Sequence, residues 1–229
     1  MTASLVALLL NLWACPGRAQ SETPVMGGVV RSKEWRIRRA PEKEEEFIGA
    51  VSYRAADTAI KADWALYRHA ARTWKARGNV DAERRLSSGD VVEARGEEAS
   101  YDQGAEIGVL SAKDRVTFER RPAAGEPDRG SAGKLRWEAR AKAFFSGGVR
   151  VWGPRMESWS DEAAYDRALG ELTLTGGRPV LRKLEGDWTG VVKADVITAW
   201  ESPRRVEADG KTRGWIEFPA KGQAAEIPQ

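Results

Sequence analysis

Apolar and polar residues alternate along much of the chain in runs of only a few residues. Leu172 and Leu174 alternate with Thr173 and Thr175, and Trp35 and Ile37 alternate with Arg36 and Arg38. Residues two apart point to the same side of a strand, so this period predicts half-buried β-strands. Glycines punctuate the runs, because glycine reaches positive φ without a Cβ penalty. Asp166 to Gly170 supplies turn residues, Gly176-Gly177 ends a strand, and Pro179-Val180-Leu181 begins the next. Residues 60–76 are rich in Ala and Arg, and propensity alone favours helix there. The matching segments around Trp137 and Tyr165 read as strands, and the strand reading is preferred for all three. Further strands are predicted at 34–39 and 47–53. Residues 120–133 hold Pro122, Gly125, Pro127, Gly130 and Gly133 and predict a long surface loop. Glu42 to Glu46 predicts a solvated loop, and the polar tail after Pro219 a loose end.

The alternation is organised as an internal repeat. Asp63 precedes Gly78 by fifteen residues, as Gly133 precedes Gly148, Asp161 precedes Gly176 and Asp195 precedes Gly210. An aromatic residue stands four positions after the start in Tyr67, Trp137 and Tyr165, and a large apolar residue follows seven later in Trp74, Phe144 and Leu172. A poorer unit starts near Glu97, with Tyr101 in place but no glycine at fifteen. The starts at 63, 97, 133, 161 and 195 are 34, 36, 28 and 34 apart. A period of this size marks a repeat architecture. Each unit is read as about two short strands joined by a tight turn.

Composition narrows the function classes. Lys plus Arg exceed Asp plus Glu by 37 to 34 in 229 residues, a net of +3. The charges are interleaved rather than gathered, which speaks against a nucleic-acid partner. Leu5 to Ala14 is apolar but shorter than the roughly 20 residues a membrane span needs. It fits the core of a signal peptide cut near Gln20, which implies export to the periplasm. Leu12-Trp13-Ala14-Cys15 offers a second reading, a lipobox that makes Cys15 a lipid anchor; an uncleaved anchor helix is a third. Cys15 is the single cysteine, so the mature chain is expected to hold no disulfide and no thiolate nucleophile.

Candidate chemistry is sparse. His69 is the one histidine and has no Ser or Cys motif beside it. Asp63, Asp161 and Asp195 occupy equivalent places in successive repeats, which points to hydrogen bonding at turns and strand ends. No cluster has metal-ligand spacing and no glycine-rich loop matches a phosphate cradle. The expectation is no enzyme, no metal and no cofactor. Arg31, Lys33, Arg36, Arg38 and Arg39 form a basic stretch, read as a solvated strand face, with contact to lipid phosphates or an anionic membrane surface as the functional alternative.

Ala163-x-Tyr165, Gly170-Glu-Leu-Thr-Leu-Thr-Gly176-Gly-Arg-Pro179-Val-Leu181, Ala194-Asp195-Val-Ile197 and Asp209-Gly210 together resemble the OstA-like lipopolysaccharide-transport family. That family includes the LptA bridge, the anchored LptC and the N-terminal domain of LptD. The resemblance covers roughly Phe47 to Ile216 and is densest from Ala163 to Gly210. It implies an all-β jellyroll of short antiparallel strands around an open groove, here over residues 34–218. Before it come a signal peptide at 1–19 and a linker at 20–33, and after it a polar tail at 219–229. It also implies that the groove takes lipopolysaccharide acyl chains toward the outer membrane, and that the chain joins other jellyroll domains, or itself, head to tail by strand addition. Groove candidates are Tyr67, Tyr101, Phe118, Phe144, Val149, Tyr165, Leu172, Leu174 and Leu181, for which plain core is the competing reading. An LptC-like clasp, or a β-repeat scaffold with a filled core that binds protein or glycan, are the functional alternatives.

Overall fold

The computed structural model describes residues 28–217 except 87, 139–141, 155, 167, 186–187 and 201–204. The signal segment, Cys15 and the tail after Pro219 lie outside the described residues. Sixteen antiparallel strands form one continuous, unclosed sheet, and the described residues contain no helix. In chain order they are β1 (Val29–Arg31), β2 (Glu34–Arg38), β3 (Glu44–Arg54), β4 (Thr58–Arg68), β5 (Thr73–Arg85), β6 (Val91–Asp102), β7 (Ile107–Arg121) and β8 (Asp128–Glu138). They continue as β9 (Lys142–Trp152), β10 (Met156–Asp166), β11 (Glu171–Thr175), β12 (Val180–Glu185), β13 (Trp188–Lys193), β14 (Val196–Trp200), β15 (Arg205–Asp209) and β16 (Arg213–Glu217). The alanine-rich segment 60–76 is strand, as the repeat predicts: β4 and β5 carry it.

Strands β3 to β10 are long, and each pairing shifts register near its middle. The shifts fall at Ile48/Val51, Lys61/Trp64, Arg77/Val80, Arg95/Glu98, Ser111/Val116, Ser131/Lys134 and Ser160/Glu162. An extra residue at such a bulge bends the strand. Because the bulges line up from strand to strand, they divide the sheet into two arms. The first arm holds the halves that include 51–54, 80–85 and 149–152 and continues as β12, β13 and β16. The second holds 44–48, 73–77 and 142–146 and continues as β11, β14 and β15. Phe118 of the first arm meets Phe145 of the second with ring centroids 5.3 Å apart, so the arms pack face to face.

The fifteen-residue spacing is the distance from one corner to the next. Asp63, Asp161 and Asp195 stand at the bend, and Gly78, Gly176 and Gly210 lie against them with φ of 75°, 72° and 68°. A Cβ on any of the three glycines would fall 2.8 Å from the Cβ of its aspartate. Positive φ and this close approach both demand glycine. At the first corner Asn79 donates from Nδ2 to Asp63 Oδ2 at 2.7 Å. At the unit without the glycine, the longer Glu97 reaches instead, and its Oε2 accepts from the Lys113 backbone N–H at 3.1 Å.

Two expected loops are strand. β7 runs through Arg121 and β8 starts at Asp128, which leaves only 122–127 between them. Gly130, taken as a loop signal, instead makes room for the Phe118 ring on the neighbouring strand, which a Cβ there would overlap. A glycine beneath a cross-strand aromatic is a sheet feature, not a break. Glu44 to Glu46 open β3, where Glu44 pairs with Arg68 at 2.9 Å and Glu45 with His69 at 2.7 Å. The sheet also begins before residue 34, since β1 pairs with β3 from Val29.

Candidate functional site, an apolar cleft at the N-terminal end

The space between the arms is not uniform. In the second arm one inward row runs Ala65, Ala76, Ala99, Leu110, Leu135 and Phe145 across successive strands. In the first arm the matching row runs Ile60, Ala82, Ala94 and Phe118. Where both rows hold large residues the arms close. Leu135, Leu174, Ile197, Val92 and Val116 are among the most deeply buried side chains, and the core is continuous from Ala62 to Ile197. Where the second-arm row holds Ala65, Ala76 and Ala99, the arms leave a cleft.

The cleft opens to solvent and is bounded by residues of β1, β3, β4, β5 and β6. Val30, Val51, Tyr53 and Ile60 form the first-arm wall; Ala65, Trp74, Ala76, Ala99 and Tyr101 form the second. The cleft's accessible lining is almost entirely apolar, as that of ligand sites mostly is. Trp74 is held in a stack, 6.1 Å from Phe47 and 4.7 Å from Tyr67. Trp35 continues the stack over Phe47 at 6.3 Å and is itself exposed. The Trp74 Nε1 is buried and has no hydrogen-bond partner among the described residues.

Beside the cleft the polar groups are satisfied. The Tyr67 hydroxyl donates to Gln103 Oε1 at 3.1 Å, and burial raises the Tyr67 pKa above its usual value. His69 Nε2 lies 2.7 Å from Glu45 Oε1. Of the basic stretch, Arg36 pairs with Glu34 and Arg38 with Glu44, at 2.7 and 2.9 Å, on an exposed strand. Among the described residues no three His, Cys, Asp or Glu side chains gather as a metal site.

The structure scatters the groove candidates. Tyr101 lines the cleft. Phe118, Val149, Tyr165, Leu172, Leu174 and Leu181 are buried in the closed interior, and Tyr67 is buried beside the cleft, stacked on Trp74. Phe144 is on the other side of the sheet, where Arg136 and Ala164 flank it and the Arg136 guanidinium lies 5.8 Å from its ring. Its neighbour Phe145 is the inward residue, because Trp137 pairs with Ala143, six residues on, where Tyr67 pairs with Trp74 seven on. The cleft residues Trp74, Val51, Tyr53 and Ile60 are absent from the candidate set. Trp74 carried a signal, since it follows Tyr67 by seven within the repeat.

No family model matches the chain, and no curated protein matches it. Among solved structures, it is similar to LptH of Pseudomonas aeruginosa, described as the LptA-homologous periplasmic component of the lipopolysaccharide transport device. The likeness covers 75% of this chain and 89% of that one, at 14% identity and a TM-score of 0.30. The fold assignment therefore rests on the strands and their register.

Proposed function

We propose that this protein binds the acyl chains of an amphiphile in the N-terminal cleft, and that it serves lipopolysaccharide transport in the periplasm as a bridge. The observation that carries the reading is the alanine-floored cleft between Tyr53, Trp74 and Tyr101. Each CH₂ removed from water contributes roughly 0.8 kcal/mol, so a few acyl carbons give useful affinity without directional chemistry. Partners join by strand addition at the sheet ends. β15 and β16 at one end, and β1 and β2 at the other, lack a neighbour on their outer side among the described residues. Trp35, Ile37, Val206, Trp215 and Ile216 are exposed on those strands. Unpaired edges of this kind are liabilities unless they are covered. The closed interior restricts the ligand to one end, so passage between subunits takes place at the junction rather than along the whole sheet.

A photo-crosslinker at Tyr101 in cells is expected to capture lipopolysaccharide, and one at Phe144 to capture none. Equal labelling at both positions would sink the reading. The closed interior from Phe118 to Ile197 favours a second one, a scaffold with a filled core whose outer face binds protein or glycan. On that face Arg150 lies 5.1 Å from the Trp152 ring and 5.9 Å from the Trp159 ring.

A further inference from the structure

Among the described residues β2 pairs with β3 alone, so its outer side is open. All five of its residues are exposed, Trp35 by 58% and Ile37 by 43%. Trp35 pairs with Phe47 and stacks on its ring, so Trp35 and Ile37 share the inner face and Glu34, Arg36 and Arg38 the outer. Centred on Arg36, this pattern complements itself. Two antiparallel copies of β2 set Glu34 opposite Arg38 twice and Trp35 opposite Ile37 twice, with both faces kept. Opposite charges, and an aromatic facing a β-branched residue, stabilise strand pairs. Only Arg36 meets its own copy, and each Arg36 has the Glu34 carboxylate 2.7 Å away and Glu46 opposite it on β3. The other open edge of this arm fits less well. Laid on β2 so that the inward rows continue, β15 puts Glu207 opposite Arg36, but Asp209 opposite Glu34 and Arg205 opposite Arg38. Like charges directly opposite each other destabilise. Sliding β15 by two residues relieves the charges, but Trp35 then faces Gly210 at the corner, past the end of the strand at Asp209.

We propose that two copies of this chain join through β2 as an isologous dimer, with the two-fold axis at Arg36. Such a contact uses the same surface on both copies and stops at two, whereas head-to-tail strand addition does not close. Val30, Val51 and Tyr53 of the cleft wall lie on β1 and β3, beside that edge, so the axis sets one cleft on each side of the junction. The β15 and β16 edges then stand at the two outer ends. The inference adds a partner and an orientation to strand addition at the sheet ends, and it does not depend on what the cleft holds.

The test uses the full chain with Cys15→Ser, which removes its one thiol. Arg36→Cys in that background is expected to be joined into a dimer by a short bismaleimide, because residue 36 meets itself at the axis. Glu207→Cys alone is expected to stay unlinked, and mixing the two variants is expected to give no link between 36 and 207. By sedimentation, the unsubstituted chain is expected to reach twice its mass and to grow no further with concentration. Arg38→Glu is expected to weaken the dimer at least about tenfold, since the axis counts the change twice, and adding Glu34→Arg is expected to restore it. A ladder of larger species, a link between 36 and 207, or a monomer at every concentration overturns the inference, even if Arg38→Glu fails to fold. No rescue by the double variant overturns the axis at Arg36. Each of these failures leaves lipid capture at Tyr101 untouched.

Discussion

The first four long strands and the four that follow share one pairing pattern, yet one region is open and the other closed. The difference is side-chain size at fixed register. Across the second arm the inward row reads Ala65, Ala76 and Ala99 near the N-terminal end, then Leu110, Leu135 and Phe145. Large residues on both arms meet, as Phe118 and Phe145 do at 5.3 Å. Small ones leave the cleft. A repeat fixes the frame, and the residue chosen at one position in each unit decides whether that unit is core or cleft.

The sharpest way to break this contrast is to give the closed half what the open half has. Phe145→Ala removes an inward ring from the most tightly packed region, where it is 3% exposed. Truncations of this kind cost about 3–5 kcal/mol because the surroundings collapse only partly. Urea unfolding is expected to show that loss. A cost below about 1 kcal/mol would mean the central arms are not locked together.

The closed half also carries a buried ion pair with no counterpart in the cleft. Asp90, just before β6, accepts from Arg120 Nε at 2.9 Å and from the Ala123 backbone N–H at 3.1 Å. Both side chains are buried. Burial works to raise the Asp90 pKa, but the bonds from Arg120 and Ala123 outweigh it, and the net direction is down. A lowered carboxyl pKa stabilises the fold above the unfolded value near 3.9, and that contribution is lost as pH falls through the folded value. Asp90→Asn is therefore expected to flatten the stability profile below about pH 4. Arg120→Ala, which strands a buried carboxylate, is expected to cost about 3 kcal/mol at neutral pH. An unchanged acid limb in Asp90→Asn would remove Asp90 from the account.

The corners are common to both regions and separate frame from filling. Gly176→Ala places a Cβ at φ 72° and 2.8 Å from the Asp161 Cβ. The conformational part costs about 1–2 kcal/mol, and the contact adds to it. Thermal unfolding is expected to show the loss in Gly176→Ala and partial recovery when Asp161→Gly is added. No recovery would mean the aspartate does not press on the glycine.

These corners were the most legible part of the sequence, because at Gly78, Gly176 and Gly210 only glycine tolerates both the φ and the aspartate fifteen residues before it. The strands were legible from alternation. Residues 120–133 were not, because glycine and proline signal a turn by local chemistry, while Gly130 answers to a ring on the next strand. Phe144 was placed on the wrong face because Trp137 pairs with Ala143, six residues on, where Tyr67 pairs with Trp74 and Tyr165 with Leu172 seven on, so the repeat offset overshoots by one residue. The cleft was the least legible. Ala62, Ala76 and Ala99 satisfy an apolar pattern as well as leucine does, and only cross-strand register shows that they face one another across empty space.

The smallest effect on stability should be the most informative about function. Ala76→Leu adds three carbons to an inward position that lines the cleft and is only partly buried. If the cleft is empty space of the proposed kind, the leucine fills it without displacing packed neighbours. The gain from buried surface, roughly 0.8 kcal/mol per carbon at most, is offset by side-chain ordering and small shifts of Trp74 and Tyr101. The net change in unfolding free energy is expected to stay within about 1 kcal/mol, with stabilisation the expected sign. Binding of an apolar fluorescent probe is expected to fall by at least about tenfold, since the ligand and the leucine compete for one volume. The same enlargement at Ala163, in the closed half, serves as the reference: there a leucine overpacks and destabilises by about 1–3 kcal/mol. If both substitutions destabilise alike, or if Ala76→Leu leaves probe binding intact, the two regions do not differ as their side chains indicate, and the ligand site lies elsewhere.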